Sequence, residues 1–76
     1  SNDEYKKFIE ANPDREVVVS VKTAAEIKAL ADWTVPSSNA LEICSHLHKQ
    51  GKNLLWGPDR FLGAWIAKQT GADMLL

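Results

Sequence analysis

The sequence holds a single cysteine, Cys44. One thiol excludes an intrachain disulfide and any multi-cysteine metal cage built from this chain alone. A cytoplasmic, reducing setting is the matching expectation. Neither sign of charge is in excess: nine basic and ten acidic residues leave a net charge of −1. That balance draws the chain neither to nucleic acid nor to a membrane surface. Apolar runs extend over only a few residues, too short for a transmembrane span. The stretch from Ser1 to Asn12 is polar and charged, unlike a secretory signal. The chain opens on Ser1-Asn2 and not on methionine, which suggests a processed product or an excised piece of a longer chain. "GPDRFLG" lacks the glycine and lysine spacing of a phosphate-binding P-loop. No nucleophile elbow with an ordered Ser-His-Asp set is present. His46 and His48, two residues apart on a helix, face away from each other and do not chelate one metal.

What is there fits one small soluble domain. At 76 residues the chain buries only about 60–65% of the surface that it would expose unfolded, which leaves a thin core and little room for an enclosed active site. Residues 3–11, "DEYKKFIEA", set Tyr5, Phe8 and Ile9 on one helical face. The segment 1–12 is thus an N-terminal helix, ended by Asn12-Pro13. "EVVVSV", residues 16–21, carries consecutive valines with no polar alternation, the pattern of a strand buried on both faces. "KTAAEIKALAD" predicts a helix, with Thr23 and Glu26 as a capping box and Ile27, Leu30 and Ala31 as its buried stripe. "WTVP", residues 33–36, reads as a second strand. A helix over about 39–48 follows, with Leu41, Cys44 and Leu47 on one face, and Gly51 just past its end. "NLLWG", residues 53–57, is a third strand and "RFLGAWIAKQT" a helix with Leu62, Trp65 and Ile66 inward. Gly71 stops that helix, and "ADMLL" is a fourth strand.

Strands and helices therefore alternate. The prediction is an α/β chain: a three-layer α/β/α, Rossmann-like domain over residues 1–76 with a parallel four-stranded sheet. In such sheets ligands bind beyond the carboxyl ends of the strands. Three loops qualify: Ser20–Thr23, Pro36–Asn39 and Gly57–Arg60. Each enters a helix start, where free N–H groups favour an anion, and Lys22 and Arg60 add positive charge. A phosphate or carboxylate is the natural guest. The plainer reading stands beside it. Thr23, Ser38 or Asn39, and Asp59 are all good N-caps, and Lys22 and Arg60 suit a solvated surface. Ser37 is the residue that capping does not require. Cys44 reads as a small buried hydrophobe and not a reactive thiol. Trp33, Trp56 and Trp65 read as core or partner-facing residues. A lone small sheet leaves apolar surface that wants covering, by Trp56 or Trp65 against a partner or by a second copy in a homo-oligomer.

Two stretches carry a more specific likeness. "PDREVVVSVKTAAEIKALADWTVPSSNALEI" and "LLWGPDRFLGAWIAKQTGADMLL" resemble quinolinate synthase, the quinolinate synthetase A family. The likeness rests on the Ser37-Ser38-Asn39-Ala40 run, on Pro58-Asp59-Arg60 with Leu62-Gly63, and on Thr70-Gly71 before Asp73-Met74. It covers the chain from about Phe8 to the end. The resemblance implies a role in NAD biosynthesis, where the family condenses iminoaspartate with dihydroxyacetone phosphate. It implies three similar α/β domains around a [4Fe-4S] cluster, of which this chain matches the central one. It implies substrate contact at three positions. The family's serine is retained at Ser37; Ser20 stands where the family has tyrosine, and Lys22 where it has asparagine. The family's cluster cysteine has no match here, so no cofactor and no metal is expected on this chain. The expected ligand is dihydroxyacetone phosphate or a dicarboxylate. Two readings follow: a central domain inactive by itself, or a freestanding non-catalytic remnant serving as an interaction or small-anion-binding module.

Overall fold

The computed structural model describes residues 2–76. Its elements run α1 Asn2–Glu10, β1 Glu16–Ser20, α2 Ala25–Lys28, β2 Trp33–Val35, α3 Ser37–Lys49, β3 Leu54–Gly57, α4 Arg60–Thr70 and β4 Met74–Leu75. Ser1, the first residue of the expected N-terminal helix, lies outside the described residues.

The four strands form one sheet in the order β2-β1-β3-β4. Every pairing is parallel, with Ser20 opposite Val35 and Val19 opposite Gly57. β1 therefore has a strand on each side, and its valines explain why it sits there. Val17, Val18 and Val19 are all buried, which only a strand covered on both faces achieves. Val17 and Val19 meet Ile9, Ile27 and Leu55 on the face covered by α1 and α2. Val18 points the other way, into a core with Val35, Cys44, Leu47, Trp56 and Ile66 under α3 and α4. The result is the three-layer α/β/α arrangement. From β1 the chain steps outward to β2, then crosses back over β1 to β3. That reversal opens a crevice between the carboxyl ends of β1 and β3.

Helix ends follow local chemistry. Asp59 caps α4: its Oδ1 accepts from the amides of Phe61 at 2.9 Å and Leu62 at 3.1 Å. Gly71 closes the same helix in the left-handed conformation at φ 74°, its amide bonding the Ala67 carbonyl. Arg15 ties the sheet's amino end, donating to the Leu54 carbonyl at 2.8 Å and pairing with Asp73 at 3.0 Å.

Several local expectations are corrected. Thr23 and Glu26 form no capping box. The residue before α2 is Ala24, without a side-chain cap, and Glu26 instead accepts from Asn2 at 2.6 Å and pairs with Lys6 at 3.3 Å, tying α2 to α1. α2 spans only four residues and its stripe is cut short, leaving Leu30 38% exposed. The cause lies in Asp32, whose carboxylate accepts from the Val17 amide at 2.8 Å and pulls the chain back to β1. Neither Ser38 nor Asn39 caps α3. That helix starts two residues earlier, at Ser37, because Pro36 already holds the extended geometry of an N-cap at φ −70° and ψ 150°. The Ser38 hydroxyl donates to Asn39 Oδ1 instead. Trp65 is not inward but 49% exposed, and Phe61, one turn before it, is 91% exposed. Trp56 is buried, so it faces no partner.

Asp59→Ala removes a cap with two bonds and should cost about 1 kcal/mol, a fall of roughly 4–8 °C in thermal midpoint for a domain of this size. Ser38→Ala and Asn39→Ala should stay within about 0.5 kcal/mol of the parent, since neither side chain caps. Circular dichroism melts of the three variants check both.

Candidate functional site

The strand-end loops form the polar edge that the topology predicts, but they divide the predicted residues between two faces. Ser20 is the last residue of β1 and is half-buried. Its hydroxyl accepts from the Lys22 amide at 3.3 Å, and its carbonyl accepts from the Thr23 amide at 3.0 Å, which shapes the turn out of the strand. By strand alternation Ser20 follows Val18 toward the α3 face. Ser37 lies exposed in the first turn of α3, two residues past Val35, the partner of Ser20. Ser20 and Ser37 therefore share the ends of adjacent strands. The Val21 amide, bonded to the Val35 carbonyl at 3.0 Å, carries the ladder one step further between them.

Lys22 belongs elsewhere. It lines an open crevice of about 630 Å3 on the α1 face, together with Tyr5, Phe8, Thr23, Pro58 and Arg60. Neither Ser20 nor Ser37 lines that crevice. Lys22 and Arg60 are exposed and take part in no ion pair among the described residues.

Tyr5 is the residue that sequence reasoning assigned only to a helix face. Its ring lies against Gly57, where a Cβ would fall on the phenol oxygen. A glycine within a buried strand is the one sequence signal for such an approach. The Gly57–Pro58 peptide that follows is cis. Burial pushes the Tyr5 phenol up to about 12, so it stays a neutral hydroxyl at physiological pH. Among the described residues two buried side-chain oxygens lack a hydrogen-bond partner, Tyr5 Oη and Thr23 Oγ1, and both residues line this crevice.

Elsewhere the chemistry is spare. Cys44 is fully buried in the α3–α4 core, and burial pushes its thiol up to about 11. His46 bonds Gln50 one turn on, at 3.1 Å between Nε2 atoms. Among the described residues no three His, Cys, Asp or Glu side chains gather to hold a metal ion. No helix among them is long and apolar enough to cross a membrane.

Two outcomes follow. Gly57→Ala should displace Tyr5 at a cost of about 1–3 kcal/mol. Tyr5→Ala made in the Gly57→Ala background should then cost less than Tyr5→Ala alone, a coupling that a double-mutant cycle of urea melts measures. At alkaline pH the fold should weaken. The Cys44 thiol ionises near 9.0 in the unfolded chain and about 11 in the folded one. The Tyr5 phenol behaves likewise between 10.0 and about 12. In both windows the folded state holds the extra proton, so stability falls as pH rises through them. Urea midpoints at pH 8 and pH 10 should show the loss, and Cys44→Ser should carry less of it.

A family model described as Quinolinate synthetase A protein matches residues 1–76, the whole chain. The chain belongs to the quinolinate synthetase A family, which gives it a place in NAD biosynthesis.

Proposed function

We propose that this chain is the central α/β domain of a quinolinate synthase, inactive by itself and contributing one wall of the substrate pocket. The observation that carries the reading is that Ser20, which pairs with Val35, and Ser37, two residues past Val35, stand at the ends of neighbouring strands in a chain matched over its whole length by the family. Ser37 suits a substrate anion because the start of α3 has no side-chain cap; the Asn39 amide bonds the Pro36 carbonyl at 3.0 Å, and the Ser37 and Ser38 amides before it are the ones to meet an anion. The reaction proposed for the complete enzyme is condensation of iminoaspartate with dihydroxyacetone phosphate, in the cytoplasm. One strand-end edge surrounds little of such a substrate, and catalysis needs groups fixed on several sides of the reacting atoms.

The family's iron–sulfur cluster is not expected on these residues. A cluster ligand is an accessible thiolate, and Cys44 is a buried, protonated thiol in an apolar core. It does not fit that role. The second reading, a freestanding small-anion-binding module, draws support from Ser20 and Lys22. They stand where the resemblance calls for tyrosine and asparagine.

An amide NMR titration of the 76-residue chain with dihydroxyacetone phosphate, and separately with malate, tests the edge. Saturable shifts are expected at Ser20, Val21, Ser37 and Ser38, weakened several-fold by Ser37→Ala. Unmoved amides at millimolar ligand would remove the pocket-wall reading.

A further inference from the structure

The outer face of α4 carries apolar side chains that nothing in the domain covers. Phe61 is 91% exposed and Trp65, one turn on, is 49% exposed. Ala64, exposed as well, lies between them on the same face. The inner face of the helix supplies Leu62 and Ile66 to the core, so folding accounts for those two and not for Phe61 or Trp65. Helix propensity does not account for them either, since alanine, lysine or glutamate serves an exposed helical position better than an aromatic ring. Nor do the rings hold each other: among the described residues the rings that pair are those of Tyr5 and Phe8. Asp59 fastens the first turn of α4 and Gly71 ends the last, so Phe61 and Trp65 stand at the fixed spacing of a capped helix.

The charges around the pair indicate what covers it. Arg60 and Lys68 are exposed at the two ends of the stripe, and neither takes part in an ion pair among the described residues. The sequence of α4, "RFLGAWIAKQT", contains no acidic residue. The carboxylate just before it, Asp59, is engaged by the helix's own amides. We infer that this face docks an acidic amphipathic helix of a partner protein. Two apolar side chains of that helix, one turn apart, pack on Phe61 and Trp65, and its carboxylates meet Arg60 and Lys68. Aromatic anchors at the centre and charge at the rim are the composition of such contacts. A second copy of the chain does not fit. Two α4 faces joined across a two-fold axis would bring Arg60 and Lys68 of both copies together with no carboxylate between them. An anionic membrane fits less well, because two cations attract it weakly and the whole chain carries a net charge of −1. The 11 residues of α4 span about 16 Å, so the contact is small and the binding weak and reversible. The face uses neither Ser20 nor Ser37 and does not depend on the pocket wall proposed above.

The test is an amide NMR titration of the 76-residue chain with two synthetic helical peptides. Both carry leucines at i, i+4 spacing; one surrounds them with glutamates, the other with lysines. Vesicles containing phosphatidylglycerol, and dilution of the chain alone, are run in parallel. The glutamate peptide should give saturable shifts at Phe61, Ala64, Trp65 and Lys68 and move the Trp65 indole N–H. The lysine peptide should bind roughly ten-fold more weakly. Phe61→Ser should weaken the glutamate peptide by roughly ten-fold or more and leave the thermal midpoint near the parent's, because the ring is exposed. Arg60→Glu with Lys68→Glu should reverse the preference between the two peptides. The site is overturned by no saturation with the glutamate peptide, or by equal affinity for both peptides. It is overturned too if α4 shifts only with vesicles, which would make the face a membrane contact. Shifts on α4 that follow protein concentration without peptide would assign the face to a second copy instead.

Discussion

Everything in this domain depends on the burial of β1 on both faces. A strand reading Val17-Val18-Val19 has no side that tolerates water, and so it needs neighbours to left and right and helices above and below. The order β2-β1-β3-β4 meets that demand. The direction of the chain must then reverse beside β1, since β2 lies on one side of it and β3 on the other. Right-handed crossovers place α2 on one face and α3 and α4 on the other. The polar strand-end loops are a by-product of that reversal. The same constraint that packs the core thus opens the cleft and decides which side chains reach it.

Patterns with a strong period were readable in the sequence. The valine run gave β1, the alternation of strands and helices gave the parallel sheet, and Asp59 and Gly71 marked both ends of α4 with specific chemistry. Misread features had a competitor that lies far away in the chain. Thr23 and Glu26 have the spacing of a capping box, yet Asn2 and Lys6, from a separate helix, claim Glu26. "ALADW" continues a helical pattern, yet the bond from Val17 to Asp32 ends the helix early. Ser38 and Asn39 have capping chemistry, but Pro36 occupies the N-cap position, its ring fixing φ and its ψ extended. Trp65 lies one position from Ile66, and a single-residue phase error on a short helix turns a core residue outward.

The placement of the candidate site residues was legible in part. That anions suit the strand ends follows from topology, and Ser37 stood out because capping left it unexplained. The division of the residues into two faces was not legible, because it depends on α1. An amphipathic helix shows in sequence which face is apolar but not which strand it covers. Only the structure brings Tyr5 to Gly57, across 52 residues of chain.

The position of α1 follows from a small number of contacts, and they explain why the crevice has the contents it has. Ile9 anchors the helix in the core with Val17, Val19 and Leu55. At the other end Glu26 holds Asn2 and Lys6, and those two bonds draw its carboxyl below the usual carboxylate range. Between these two ends Tyr5 must lie on the sheet, and the absence of a side chain at Gly57 lets it lie close. The phenol oxygen is the atom that fills the space over Gly57, and among the described residues it has no hydrogen-bond partner. Thr23, which leaves the N-cap position of α2 to Ala24, likewise holds a buried hydroxyl without one. Local conflicts of this kind, in a domain whose other choices agree with its fold, fall where a sequence answers to something besides stability.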